Sequence, residues 1–343
     1  MAERFPRCRA EASCDDSAIS FSEFCWTHTD KESYLPKLRS EIRALDKKPV
    51  VLNLKKVVCD NLDFSHRSLK DSSFSQTHFT NTLFVGAQLA GCDMIGSRFH
   101  MCDFVGSDMS GINMTRAVLT HCSFSYANMR DAYLVEAHFR DADLMGTILT
   151  NSVIWNSDFS GAKHLKKKNF VDVEGNPKAV FLCEKNVEVA FESYRTLKHY
   201  LYEQGLYEDA SWAAYRELTM ERKHFFQTRN PRYFPSLLMD ILSGYTQKPN
   251  RVIMTSLLLI LFFGLLYYFL GAAEPATGIS LGRGMSLFEN IYFSFITFTT
   301  VGYGDFMPKP VPFFRLLACI EAFSGPFMAG LYIFTLTRRY AAN

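Results

Sequence analysis

One apolar stripe recurs every five residues, and it constrains the fold more than any other feature of the chain. It runs Leu54, Cys59, Phe64, Leu69, Phe74, Phe79, Phe84, Leu89, Met94, Phe99, Phe104 and onward to Phe159. All 22 positions in that phase are apolar. With 48% of the chain apolar, chance produces such a run about once in ten million trials. From Ser72 on, the residues two places earlier are small: Ala87, Cys92, Ser97, Cys102, Ala127, Ala132, with Ile112 the exception. A period of five matches neither a helix (3.6) nor a strand (2). It matches a solenoid that turns a corner every five residues, with large side chains on the axis and small ones where the backbone bends inward.

The triplets Ala127-Asn128-Met129, Ala142-Asp143-Leu144 and Ser107-Asp108-Met109 follow the pattern A-(D/N)-L. Over about residues 52–162 the sequence resembles the pentapeptide-repeat family. The resemblance implies a right-handed quadrilateral β-helix with four pentapeptides per coil. At the ~4.8 Å spacing of adjacent strands such a rod is about 26 Å long. Residues twenty apart should then stack, Cys102 over Cys122, as small core fillers. Some members of the family mimic DNA with an acidic surface. Here eight basic side chains face eleven acidic ones across 52–162, too weak a field for that role. The whole chain carries only +2, so no nucleic-acid partner is expected. A rigid rod suits a scaffold or a sensor for a cytoplasmic ligand or protein partner.

Two further segments exclude a wholly soluble protein. Val252 to Ala273 is 22 residues without a charge, and Leu316 to Thr337 is 22 residues with only Glu321. Each can cross a hydrocarbon layer of about 30 Å. In the first span Phe262, Phe263, Tyr267, Tyr268 and Phe269 suit lipid contact. No signal-peptide pattern occupies Met1 to Asp16. Lys248 and Arg251 precede the first span and Arg338 and Arg339 follow the second, while only Arg283 and Lys309 lie between. This charge bias predicts a multi-pass protein of the cell (inner) membrane with both termini cytoplasmic.

Between the spans, Leu287 to Thr299 is an apolar segment too short to cross a bilayer, followed by Thr300-Val301-Gly302-Tyr303-Gly304-Asp305. Loops of this kind replace an ion's water shell with carbonyl oxygens, and Gly302 and Gly304 can adopt the backbone angles this needs. From 252 to 339 the chain resembles two-transmembrane potassium channels. The resemblance implies a homotetramer in lipid, with K+ held by Thr300, Val301, Gly302, Tyr303 and Gly304, and Thr299 and Asp305 supporting that filter. Val301 and Tyr303 would point away from the ion and hold the loop's diameter. Ile296 stands where some channels carry an acidic partner for Asp305. In the second span Gly325-Pro326 and Gly330 suit a gating hinge, and Phe327, Leu331 and Phe334 suit a pore lining that gates by dewetting. Glu321 needs a polar partner, either water in the cavity or a group behind the filter.

Cys8, Cys14, Cys25 and His28 read as C-x5-C-x10-C-x2-H. In a reducing compartment this donor set suits a structural Zn2+ site, the alternative being free surface thiols. After Ala162, Gly175-Asn176-Pro177 reads as a turn, and two helical patterns follow at about Val187 to Gln204 and Tyr207 to Thr228. They form a hairpin packed on itself or on the end of the β-helix, its charges facing solvent. Pro231 and Pro235 break the pattern, and Leu237 to Tyr245 is either an interfacial helix or a linker.

The expected organisation is a multidomain membrane protein: 1–48 the Cys/His segment, 49–164 the β-helix, 165–250 a helical connector, 251–343 an α-helical two-transmembrane pore domain with a re-entrant loop. No nucleotide loop or nucleophile motif points to an enzyme. Neither span has the spaced arginines of a voltage sensor, and only six residues follow Thr337. Control should therefore arrive through the N-terminal domain. The alternative reading is a non-conducting membrane-anchored scaffold.

Overall fold

The computed structural model describes residues 5–10, 14–45, 49–170, 186–276 and 284–340. The turn expected at Gly175-Asn176-Pro177 lies outside the described residues, as does Arg283, and so do the side chains of Arg338 and Arg339. The chain forms two compact units, Met1–His224 and Phe225–Asn343.

In the first unit, β1 (Val58–Asp60), β2 (His78–Thr80), β3 (Arg98–His100) and β4 (Val118–Thr120) form a parallel sheet in that order. Every pairing is offset by twenty residues, as in Cys59↔Phe79 and Phe99↔Leu119. Isolated bridges continue the same offset from Asn53↔Ser73 to Asp143↔Lys163. This is the coil the five-residue period predicts. The stripe forms the axis. Phe84 stacks on Phe104 at 4.8 Å and Phe104 on Phe124 at 4.9 Å, rings nearly parallel. That spacing is the distance between neighbouring strands. The Cys102 and Cys122 thiols are buried in this stack and hydrogen-bond Phe79 and Phe99 carbonyls.

The corners have their own phase. Every fifth residue from Lys56 to Gly161 takes a positive φ, through Asn61, His66, Asp71, Gly86, Gly91, Gly106, Asp141 and Gly161 among others. A left-handed residue turns the chain through a corner. Gly takes it without penalty, and Asn and Asp tolerate it.

Both ends of the rod are covered. At the start, α1 (Lys31–Ala44), N-capped by Asp30, buries Tyr34, Leu38 and Ile42 in one cluster with Leu52, Leu54 and Val57. At the far end a 3-10 turn (Lys167–Phe170) brings Asn169, whose amide donates to the Leu144 and Thr147 carbonyls. The hairpin of α2 (Val187–Glu203) and α3 (Tyr207–Gln227) packs both on itself and on this end. Tyr194 meets Trp212 at 5.8 Å, and the Tyr200 hydroxyl donates to the Ala162 carbonyl at 2.9 Å. The hairpin's charges do not all face solvent: Glu217 is buried, and Lys198 at 2.6 Å and Arg195 at 3.4 Å neutralise it.

The second unit is helical. In the segment around Leu237 to Tyr245 a helix forms, α4 (Tyr233–Ser243), and it takes Pro235 into its first turn, where no backbone N–H is needed. Phe234, Leu238 and Ile241 lie exposed along one stripe, while Asp240 pairs with Arg251 at 2.8 Å. α5 (Pro249–Leu270) and α7 (Pro312–Tyr340) are long and apolar enough to span a membrane. Between them stand β5 (Ala273–Pro275), α6 (Leu287–Phe298) and β6 (Phe306–Pro308).

Candidate functional site

The site is assembled around α6. Its twelve residues rise about 18 Å, roughly half the hydrocarbon thickness. A reciprocal capping box starts it: the Ser286 hydroxyl accepts from Glu289 N–H, and the Glu289 carboxylate accepts from Ser286 N–H. At its other end the carbonyl of Ile296 accepts two N–H groups, Val301 at 3.0 Å and Gly302 at 3.2 Å. The helix thus hands the chain directly into Thr300–Asp305.

There the backbone alternates. Thr300 has φ +57°, Gly302 +51° and Gly304 +77°, while Val301 and Tyr303 are not left-handed. Alternating handedness aims consecutive N–H groups to one side of the strand, and their carbonyls to the other. A β-branched residue at positive φ is strained, and at Thr300 the Val301 and Gly302 hydrogen bonds hold it there. The loop's outer end is fixed by antiparallel pairing of β5 with β6 and by Ala276 N–H donating to the Asp305 carbonyl at 2.9 Å. Ile296 is buried, and the Asp305 carboxylate accepts from the Phe306 N–H at 3.1 Å. Within one chain Val301 and Tyr303 are left 51% and 73% exposed.

Glu321 faces neither lipid nor cavity. It is 0% exposed. Tyr267 of α5 donates to its Oε2 at 2.6 Å, Ser294 of α6 bonds its Oε1, and the same serine reaches the Ile260 carbonyl at 2.8 Å. Three helices meet on one carboxyl group. This corrects the lipid-facing reading of Tyr267 and of Phe263, both buried. Phe262, Tyr268 and Phe269 do stay exposed. Ser294, within the largely apolar run Ile291 to Phe298 of the half-membrane helix, was the signal for this network.

Helix α7 runs unbroken through Pro326. A Cβ placed on Gly325 would lie 1.7 Å from the carbonyl oxygen of Phe298, whereas one on Gly330 would meet nothing within 4 Å. Gly325 therefore lets α7 touch the C-terminal end of α6. Below that contact Phe327 and Phe334 are exposed and Leu331 is half-buried.

In the first unit, Cys8, Cys14, Cys25 and His28 come together, their donor atoms all within 4.8 Å of one another. Burial raises the Cys8 thiol, but N–H donors of Cys25 and Ala10 and the His28 ring outweigh it and bring it down to about 6.

Residues 255–342 match the ion channel family model. Residues 72–111 and residues 112–151 each match the family model of pentapeptide repeats (8 copies). The chain joins a pentapeptide-repeat domain to an ion-channel domain. Solved structures similar to the pentapeptide-repeat domain include a pentapeptide repeat protein from the cyanobacterium Cyanothece 51142, 14% identical over 37% of this chain and 94% of its own, with a TM-score of 0.24. Another, from the Arabidopsis thaliana thylakoid lumen, is 22% identical over 38% of this chain and 83% of its own, TM-score 0.20. A plasmid-mediated fluoroquinolone resistance protein is 18% identical over 34% and 66%, TM-score 0.19. No curated protein matches the chain. The ion-channel domain and its two apolar helices mark a membrane protein, and a channel domain of this kind points to an oligomeric assembly.

Proposed function

We propose that the chain is one subunit of a homotetrameric potassium-selective channel in the cell membrane, with both termini on the cytoplasmic side. The observation that carries this reading is the alternating backbone of Thr300 to Gly304 at the C-terminal end of a half-membrane helix. Its carbonyls can share one side, and the negative end of the α6 dipole favours a cation there. Four copies around one axis would turn those carbonyls, with the Thr300 hydroxyl, toward K+. They would also bury Val301 and Tyr303 between neighbours. Asp305, bonded by the Phe306 and Ala276 N–H groups, would keep the loop's outer end in place. Phe327, Leu331 and Phe334 would line the path below, with Gly325, Pro326 and Gly330 supplying its hinge.

Regulation would enter through the pentapeptide-repeat domain and α4. The Asp240–Arg251 pair and the Thr255 hydroxyl, which donates to the Leu242 carbonyl at 2.9 Å, tie α4 to the first turns of α5. Movement of α4 would therefore bear on the first span.

The test is the reversal potential of purified protein in planar bilayers under a KCl/NaCl bi-ionic gradient. A shift toward the potassium equilibrium potential, lost when Tyr303 is replaced by Ala, supports a selective filter. Ohmic current without selectivity, or wild-type selectivity in Tyr303→Ala, rejects it.

A further inference from the structure

The Cys/His cluster lies in the first unit, outside the ion-channel domain, and its geometry is specific. Cys14 Sγ lies 3.8 Å from Cys25 Sγ. His28 Nδ1 lies 3.3 Å from Cys25 Sγ and 3.5 Å from Cys8 Sγ. A tetrahedral metal bound at ~2.3 Å by sulfur and ~2.0 Å by nitrogen requires S–S edges of about 3.8 Å and S–N edges of about 3.5 Å. These three edges match, and every pair of donor atoms lies within 4.8 Å. A disulfide, by contrast, needs sulfurs about 2.05 Å apart.

The backbone around the cluster is arranged to hold sulfur in this form. Cys25 N–H donates to Cys8 Sγ at 3.3 Å, a bond that orients and stabilises a thiolate ligand. Cys8 sits beside the antiparallel bridge Arg7↔Ser17, its N–H on the Asp16 carbonyl. Cys25 and His28 close a tight turn, His28 N–H to Cys25 carbonyl at 3.1 Å. Cys8 and Cys25 are buried and His28 is exposed, so the fourth ligand closes the site from the solvent side.

The segment framed by these ligands is the plug of the β-helix. The Asn53 side-chain amide donates to the Ala18 carbonyl at 2.6 Å, and Ser20 and Asn53 exchange two more bonds at 2.8 Å. Asp16 pairs with Lys56 at 2.7 Å. Ile19 enters the core beside Leu38, Ile42, Leu52 and Leu54. Between Cys14 and His28, only Ala18, Ile19 and Cys25 are buried. So short a segment cannot hold its shape by burial alone.

We propose that Cys8, Cys14, Cys25 and His28 bind one structural zinc ion, and that this ion clips the N-terminal plug onto the first coil of the β-helix. Three thiolates and one imidazole in tetrahedral array form a closed donor set suited to zinc, and the ion supplies the cross-link that a small plug needs.

The experiment uses full-length protein purified in detergent under reducing conditions. Elemental analysis should find about one zinc per chain. Replacement by cobalt should give tetrahedral d–d bands with thiolate-to-cobalt charge transfer. Removing zinc with a strong chelator should lower the melting temperature of the N-terminal unit, and zinc, but not magnesium, should restore it. Cys25→Ser should abolish zinc binding. If that variant fails to fold, His28→Ala changes only an exposed imidazole and should fold with weakened zinc retention. Folded wild-type protein that holds less than about half an equivalent after zinc loading overturns the proposal. Stoichiometric iron, or a Cys14–Cys25 disulfide under reducing conditions, overturns it as well. Zinc content and ion selectivity are separate readouts, so either proposal can fail alone.

Discussion

Glu321 is where α5, α6 and α7 share one side chain, and its burial decides what its replacement does. Glu321→Gln keeps the side chain's shape but leaves one acceptor oxygen for the Tyr267 and Ser294 hydroxyls, one of which must turn to accept from the new amide. It changes no exposed charge, so single-channel conductance at low salt should stay at the wild-type value. A marked fall would show that the group faces the ion path. Glu321→Ala leaves the Tyr267 hydroxyl buried without its acceptor, at a cost of about 1–3 kcal/mol, read as a lower melting temperature of the assembled protein. Gly325 and Gly330 separate close packing from flexibility in the same helix. With a Cβ only 1.7 Å from Phe298 oxygen, Gly325→Ala must push α7 off the end of α6 and should abolish potassium selectivity. Gly330→Ala has open space and a helical backbone. It should fold and conduct, with helix stability raised by about 1 kcal/mol. Normal selectivity in Gly325→Ala would refute the packing role.

At the scale of the element, the β-helix divides its work between an axis and a corner. Gly106 shows the corner alone: its φ is +64° and no atom lies within 4 Å of an added Cβ. Gly106→Val should therefore cost about 1–2 kcal/mol through the backbone only, and Gly106→Asn much less, measured as a shift in the unfolding midpoint. Equal costs would mean that packing rather than handedness decides. The same unit has a pH dependence of defined sign. The Lys56 ammonium holds the Asp16 carboxyl below the usual carboxylate range, and the Ser65 hydroxyl and N–H do so for Asp63. Their folded values lie below the unfolded ones, so the unfolded chain takes up protons first. The stability they add is present above the ordinary range near 4 and is lost as pH falls through it. The melting temperature of the N-terminal unit should drop between neutral pH and about pH 3. Replacing Asp16 by Asn should lower the neutral value and reduce that drop.

For the whole molecule, the proposed tetramer would cover Tyr303, which is 73% exposed in one chain. Native mass spectrometry of the detergent-extracted protein should give four times the 39.2 kDa chain mass. Tyr303 should be protected from modification in that assembly and exposed in dissociated chains. A stable monomer that still conducts would reject the tetramer. The axis of the β-helix was legible from one phase of the sequence because every coil repeats the same burial. The corners were not legible from the small residues two places before the stripe; they fall in a second phase, two places after it, that Gly86, Gly91, Gly96, Gly106, Gly111, Gly146 and Gly161 share. Nor was the Glu321 network legible. Tyr267, Ser294 and Glu321 stand far apart in the chain, and an aromatic residue in an apolar span reads the same whether it meets lipid or a buried carboxyl.

By itself the sequence determined the local geometry: period-five residues with small partners admit one kind of coil, and an apolar half-helix ending in alternating glycines admits one kind of loop. Tertiary structure decided the contacts between segments. It placed Glu321 behind α6, set Gly325 against Phe298, and brought Cys8, Cys14, Cys25 and His28 into one cluster. The physical reason is range. Backbone preference and periodic burial act within a few residues, whereas a hydrogen bond or a metal site joins groups that only the folded chain brings within a few ångströms.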